Sequence, residues 1–395
     1  MPIFFLIPPI EAPVNDIQIK PTVEIRERFE RRLNRDFDKT TPTDRSDLLT
    51  RIRVGADIQL DENVKANLTY QYAHNLAWTR AKNFSTEDSD LYLANVEFKE
   101  NDWVVILGRQ RLMLGDQRLL GPSDWGNVAR SFDGIHVKKG DWRIFGAGIG
   151  VASPRPKNAR IGGITFKKNE NEFALLYKHD SVTAGKIDIY TLNHIWKQKK
   201  DEWDFEFEGA LQAGKSLGKD HEAWAIHAGA GYSLNNKTRL FVEVNSASGG
   251  DPAGSKSKTF DQLYGTGHNK YGIIDMVGFR NMNEIAFGVD YKPCNTVDTK
   301  TAFRIFSLQN AKDAWYGAGG AVNKGSGGID FHDPTGMSGR DLGHEFDFEL
   351  WWRYDKHTTL HTGFAVFYPG NFVKNLNSGK TDPQWWLFMI LSWKM

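Results

Sequence analysis

Residues 107–137 read LGRQRLMLGDQRLLGPSDWGNVARSFDGIHV. Two short segments flank a polar loop that contains glycines. On each segment cationic side chains fall on one face and apolar ones on the other, the period of two that marks a strand. A wall that is greasy outside and charged inside is what a membrane pore needs, whereas a soluble enzyme has the reverse. The reading places Arg109, Arg111 and Arg130 on the lumen side of such a wall.

The same alternation recurs along the chain. In 47–60, Arg51, Arg53, Asp57 and Gln59 alternate with Ile52, Val54, Ala56 and Ile58. In 342–356, Glu345, Asp347, Glu349 and Arg353 alternate with Phe346, Phe348, Leu350 and Trp352. Segments 201–214, 237–247 and 282–293 repeat the pattern with Glu206 and Glu208, with Arg239 and Glu243, and with Glu284 and Asp290. An antiparallel soluble sheet also alternates. Charge density decides between the two, because so many ionised groups cannot face a dry core unpaired. In a large barrel the charged face lines water.

Strand-like segments of this kind are expected at 17–30, 47–60, 64–78, 89–100, 103–113, 130–139, 141–151, 159–169 and 172–181. They continue at 186–198, 201–214, 221–234, 237–247, 282–293, 297–309, 342–356, 358–369 and 383–394. That makes about eighteen, an even number as in bacterial barrels. Short connections (61–63, 100–102, 140, 169–171, 199–200, 235–236, 355–356) alternate with long ones (31–46, 79–88, 114–129, 248–281, 310–341, 370–382). In outer-membrane barrels short turns face the periplasm and long loops face outside. A propeller or solenoid would show a fixed repeat, and none is present.

Composition agrees with this reading. Lys and Arg number 50 against 49 Asp and Glu, a formal net charge of +1, so bulk attraction to nucleic acid is not expected. Aromatic residues are abundant, with 13 Trp, 12 Tyr and 25 Phe, as the girdles of a barrel require. The longest apolar runs, Ile3–Ile7 and Trp385–Leu391, fall far short of the ~18 residues of a membrane helix. A membrane-spanning chain without such helices must be a closed barrel. Residues 1–16 read as a tail or the remnant of a processed segment, and 17–395 as one barrel domain. The single cysteine, Cys294, excludes an intrachain disulfide and a cysteine metal cage.

Candidate functional residues are the cations assigned to the inner face: Arg26, Arg28, Arg51, Arg53, Arg109, Arg111, Arg130, Arg304 and Arg353. Guanidinium groups in a narrow lumen attract anions and hold carboxylates by forked hydrogen bonds. The alternative is an interior salt-bridge lattice with Glu24, Asp57, Glu97, Glu243, Glu345, Asp347 and Glu349. The long loop 248–281 carries Phe260, Tyr264, Tyr271 and Phe279, which are poorly placed in free solution and suit a constriction folded into the lumen. Asp251, Asp261 and Asp275 could offer oxygen ligands to Ca²⁺, but their spacing fits no ion motif, and neither metal nor cofactor is expected. The strings GAGIG (146–150) and AGAG (228–231) lack the helix and acid of a nucleotide fingerprint and read as strand glycines beside a crowded lumen.

Several long segments, in one order, resemble the alginate-export family of bacterial outer-membrane β-barrels. They are LLTRIRVGADIQL (48–60), LGRQRL (107–112), RSFDGIHV (130–137), TFDQLYGTGHNKYGIIDMVGFRN (259–281), FRIFSLQNAKDAWYG (303–317) and GHEFDFELWWRYDKHTTLHTGFAVFYPGNFVKN (343–375). The resemblance implies an eighteen-stranded monomeric barrel passing an anionic uronic-acid polysaccharide through an arginine-rich constriction. The arginines within matching motifs are Arg51, Arg53, Arg109, Arg111 and Arg130, with Arg353 in the late strand; Arg26 and Arg304 rest on face assignment alone. Two features depart from the pattern. The chain ends LSWKM rather than on an aromatic residue, and 385–391 is continuously apolar, which leaves the register of the last strand open.

The resulting expectation is an all-β transmembrane antiparallel barrel in the outer membrane, passive, with neither catalysis nor cofactor. Its partners would be the lipid bilayer, an anionic saccharide or small anionic solute, and periplasmic export or assembly proteins, with no nucleic acid. The alternative is a general, weakly selective porin. An outer-membrane hydrolase and a sheath for another protein are further rivals.

Overall fold

A computed structural model describes residues 17–40, 43–76, 88–152, 158–182 and 185–395. In chain order its strands are β1 (Gln18–Leu33), β2 (Arg45–Gln59), β3 (Val64–Asn75), β4 (Asp88–Glu100), β5 (Trp103–Gln110) and β6 (Ser131–Lys139). Then come β7 (Trp142–Val151), β8 (Arg160–Lys168), β9 (Asn171–Val182), β10 (Gly185–Lys200), β11 (Trp203–Ser216), β12 (Lys219–Ser233) and β13 (Thr238–Ala247). The series ends with β14 (Lys256–Ser257), β15 (Met282–Cys294), β16 (Val297–Ser307), β17 (Asp341–Arg353), β18 (Thr358–Pro369) and β19 (Gln384–Lys394). One short helix, α1 (Asn371–Leu376), lies in the last long connection.

Apart from the two-residue β14, which lies parallel to the start of β12 within a loop, each strand pairs antiparallel with its neighbours in sequence. β1 then pairs with β19, from Glu24 opposite Lys394 to Leu33 opposite Trp385, and closes the sheet. Eighteen strands thus form a barrel among the described residues. Closure leaves no open edge, so the wall's backbone groups are satisfied by neighbouring strands, the condition for crossing lipid. The strand boundaries agree with the sequence reading to within a few residues. The expected tail 1–16 and most of the loop at 79–88 lie outside the described residues.

The outer wall is apolar. Leu192 on β10 is 56% exposed and stands opposite Leu175 on β9, 51% exposed. Such exposure is normal only where lipid replaces water. Aromatic residues cluster next to the short turns: Trp142 with Phe166 and Trp203 with Tyr232, both at 4.7 Å between ring centroids, and Trp352 with Tyr354. They form the girdle at the periplasmic interface. Replacing Leu192 by Arg should therefore destabilise the folded barrel by about 2–4 kcal/mol, as for a cation near the bilayer midplane. Urea unfolding in lipid vesicles measures this, and a loss well under 1 kcal/mol would put Leu192 off the lipid face.

The continuous apolar run of β19 keeps its alternation. Trp386, Phe388 and Ile390 are buried inside, while Trp385, Leu387, Met389 and Leu391 are 43–51% exposed outside. Both faces are apolar because the inner one meets protein rather than water: the Trp125 ring sits 5.1 Å from Phe388. The barrel mouth has a hydrophobic core made by inward-folded loops. Leu112, Leu114, Leu119, Leu120, Phe260, Tyr264, Tyr271, Ile273, Trp315 and Phe331 all belong to it, together with wall residues such as Leu176, Ile195 and Ala225.

Candidate functional site

The site is built around β1 and β2, whose register sets Arg26 opposite Arg51 and Glu24 opposite Arg53. Like charges directly opposite each other repel, so this pairing needs acceptors. Glu24 supplies one, taking Arg51 Nη2 at 2.5 Å. The loop between β5 and β6 supplies the rest. Arg26 donates to the carbonyl oxygens of Asp124 and Gly126, both at 2.9 Å, and Arg51 donates to the same two at 2.9 and 3.2 Å. Arg28 donates to the Trp125 carbonyl at 2.6 Å and lies 4.6 Å from the centre of its ring. Arg53 binds the Asp124 carboxylate at 2.8 Å and stacks 3.9 Å from the Tyr92 ring. Partial burial alone would raise the Asp124 carboxyl, yet Arg51, Arg53 and Arg26 hold it well below the usual carboxylate range.

This arginine clamp fixes one end of a layer that crosses the lumen. At the other end Asp116 pairs with Lys197 of β10, and Arg118 reaches His227 at 2.7 Å and Glu208 at 3.6 Å. The loop 258–281 joins the layer: Gly121 N donates to the Tyr264 carbonyl and Tyr264 N to that of Leu119. Arg130 caps the joint, donating to the Tyr264 and Gly121 carbonyls at 2.5 and 3.0 Å. Burial without a carboxylate partner draws the Arg130 guanidinium down to about 10, so it stays charged at neutral pH. Loop 258–281 is itself tied across the lumen. Asp261 meets Lys178 of β9 at 2.9 Å, the Ile274 carbonyl accepts from Arg32 of β1, and Ile274 N donates to Glu345 of β17. Burial alone would raise the Asp261 carboxyl, yet Lys178 and Arg280 keep it below its ordinary value. Phe260, Tyr264 and Tyr271 are buried inside this layer, with Phe260 and Tyr271 packed on Phe279.

A carboxylate-rich wall, β11 to β17, lies elsewhere on the inner face. Arg304 donates to Glu284 at 2.6 Å and Asp347 at 2.8 Å, with Glu243 at 4.0 Å. Glu349 meets His361 at 3.0 Å. Arg304, Glu284, Glu345, Asp347 and Glu349 are all buried. Inward glycines make room here: a Cβ on Gly231 would strike the Arg239 guanidinium, and one on Gly229 the Glu206 side chain. AGAG (228–231) is thus a spacer for lumen charges.

Towards the periplasmic turns the lumen opens. Asp57 and Glu97 line a cavity of about 400 Å³ with Lys20, Lys65 and Asn95. Arg353 binds Asp298 and the Asn295 carbonyl at that end.

Two sequence expectations need correction. Arg109 does not face the lumen. It follows Trp103 and Leu107, both exposed on the outer face, and pairs with Asp133, opposite it in register, at 2.7 Å and with Asp90 at 3.1 Å. Arg111 is exposed just beyond β5, whereas Leu112 and Leu114 are buried. In the very stretch that announced the fold, the apolar residues point inward, because loops fill the mouth there. Second, Arg26, Arg28, Arg51 and Arg53 do face inward but are only 1–6% exposed, covered by 122–127. Asp251, Asp261 and Asp275 each meet a partner of their own, Lys312, Lys178 and His268 respectively.

Sequence reasoning missed Asp124, Trp125, Arg118 and Lys178. All four act through contacts distant in the chain, and no local pattern marks them.

A closed eighteen-stranded wall, apolar outside and charged inside, with loops folded into its mouth, defines an outer-membrane channel of the porin kind, a non-enzyme class. Residues 18–148 and 162–386 match the family described as Alginate export, and the chain belongs to that family. No curated protein matches it in sequence. Among solved structures it is similar in fold to the outer membrane protein OpdK from Pseudomonas aeruginosa, with a TM-score of 0.61 at 11% identity over 96% of this chain and 98% of that one. OprD from the same organism gives 0.60 at 11%, covering 95% and 93%. OccK2 (OpdF), solved in complex with glucuronate, gives 0.61 at 10%, covering 95% and 98%.

Proposed function

We propose that the channel passes anionic solutes of the uronate class, attracted by the arginine-rich β1–β2 side of its lumen. The observation that carries this reading is the imbalance on that side: among the described residues, Arg26, Arg28, Arg32, Arg51 and Arg53 share only Glu24, Glu30 and Asp124 as anionic partners. Buried guanidinium groups bonded to carbonyl oxygens keep their full charge, so the wall stays cationic although the loop covers it. The carboxylates of β11 to β17 place opposite charge on other strands, and the resulting field orients a solute with one anionic end. A neighbour in fold bound to glucuronate supports the same solute class.

Arg26, Arg51 and Arg53 changed together to Gln should lower anion over cation permeability, read as the reversal potential across a salt gradient in planar bilayers. The matching Lys variants keep the charge and should keep the selectivity. A reversal potential unchanged in the Gln variant overturns the reading and leaves a weakly selective porin. Arg109, outside the lumen, serves as a control.

A further inference from the structure

We infer that a cavity on the outer face of the barrel, at its extracellular rim beside Trp224, Lys258 and Arg340, binds the phosphorylated headgroup of an outer-leaflet lipid. The site lies outside the lumen and is independent of the solute proposed above.

A polar row cuts the apolar wall short below this cavity. On the outward faces of β13, β15 and β16, Val244, Ile285 and Ile305 stand side by side in register and are 48–52% exposed. Two residues nearer the long loops, the same faces carry Ser246, Asn283 and Ser307. Ser246 donates to the Asn283 side-chain oxygen at 2.7 Å. Asn283 donates in turn to Ser307 at 3.4 Å and to the Leu308 carbonyl at 3.3 Å. Hydrocarbon ends at such a row, because lipid tails offer polar groups no partners. On β11 and β12 the apolar face runs further, to Leu211 and Trp224, which stand opposite each other. Tryptophan is the residue of the headgroup level.

The cavity above the row has a volume of about 660 Å³ and is lined by Leu211, Trp224, Gly249, Lys258, Gln309 and Arg340, among others. Lys258 and Arg340 are exposed, and neither makes an ion pair among the described residues. The backbone sets both around one floor. Ser248 Oγ donates to the Lys258 carbonyl, and Leu308 N donates to that of Arg340, each at 2.8 Å. The two segments meet where Gly249 N donates to Gln309 Oε1 at 3.0 Å. A backbone N–H can only donate, so the Gln309 oxygen is occupied and its NH2 group is left as a free donor.

The acids nearby are engaged. Glu222, which also lines the cavity, is held by Lys256 at 2.5 Å. Asp251 takes Lys312, Asp313 accepts from Gly250 N and Thr259, and Asp341 accepts from Asn371 N. Two cations and an amide donor thus stand open beside a greasy wall. Phosphate oxygens take charge-assisted bonds from both cations, and acyl chains continue down over Val244, Ile285 and Ile305. A soluble anion would gain nothing from that wall, whereas a lipid uses both parts. Long loops face outside, so the lipid belongs to the outer leaflet.

Native mass spectrometry of the folded barrel in neutral detergent, titrated with bisphosphorylated lipid A, tests this. The unmodified protein should retain one tightly bound lipid A. Lys258→Gln and Arg340→Gln should each weaken it about 5-fold, and the double variant about 30-fold, as for one and two basic groups at a lipid surface. Lys258→Arg should keep the affinity. Lys312→Gln, whose charge already serves Asp251, should leave it unchanged. Lipid A stripped of its phosphates should bind weakly and alike to all forms. Equal retention of lipid A by the unmodified protein and the double variant overturns the site. An equal loss for the stripped lipid places the binding in apolar packing and overturns the phosphate assignment. If ³¹P line broadening shows inorganic phosphate depending on the two cations while lipid A does not, the cavity takes a soluble anion and the lipid assignment fails.

Discussion

Replacing residues 115–128 by a short Gly-Ser linker should raise single-channel conductance several-fold while leaving the barrel folded. The segment crosses the lumen from Lys197 on β10 to the clamp on β1 and β2. Nothing in the strand ladder depends on it, because the backbone bonds of β5 and β6 run between Trp103–Gln110 and Ser131–Lys139. Its removal exposes Arg26, Arg28, Arg51 and Arg53, which then exchange carbonyl partners for water at little net cost, since the cavity they enter is wet. The conductance should also become noisier, because loop 258–281 loses its bonds to Leu119 and Gly121. Arg51→Ala combined with Arg53→Ala should give part of the same increase by loosening the grip on Asp124. If the shortened channel conducts as before, the layer does not lie in the conduction path.

Arg304→Met is expected to cost about 3–5 kcal/mol of stability, the loss seen when one partner of a buried ion pair is removed. Arg304 is 1% exposed and serves Glu284, also 1% exposed, and Asp347, 3% exposed. Without it two carboxylates remain in a space closed to water. They must then either take up protons or pull the wall apart. Adding Glu284→Gln and Asp347→Asn to Arg304→Met should restore most of the loss, because the remaining groups are neutral and Asn245 still donates to position 284. Urea unfolding of the barrel in vesicles measures all three forms. A single variant as stable as the original would mean that water reaches the cluster. A triple variant no better than the single would place the cost in packing rather than charge.

Much of the wall was legible in the chain. Alternation of Arg51, Arg53 and Asp57 with Ile52 and Val54 gave β2 its faces, and turn residues gave its ends. The inward loop with Phe260, Tyr264 and Tyr271 was also legible, since those aromatics had no other place to be. Arg109 was misread for a definite reason. Its neighbours Leu112 and Leu114 looked like a lipid face, but they are covered by the loops that meet Leu120 and Tyr264. Where protein fills a barrel, greasy no longer means outside. The last strand carries the same lesson: Trp386 and Phe388 face inward because Trp125 waits there.

The sequence by itself determined the number of strands, their antiparallel order and the apolar outer wall, because a period of two and the turn residues are local properties. Only the tertiary structure decided which charges meet water. That depends on where the loops settle, and the contacts that settle them, such as Arg26 to Gly126 or Arg32 to Ile274, join residues 100 and 242 positions apart in the chain.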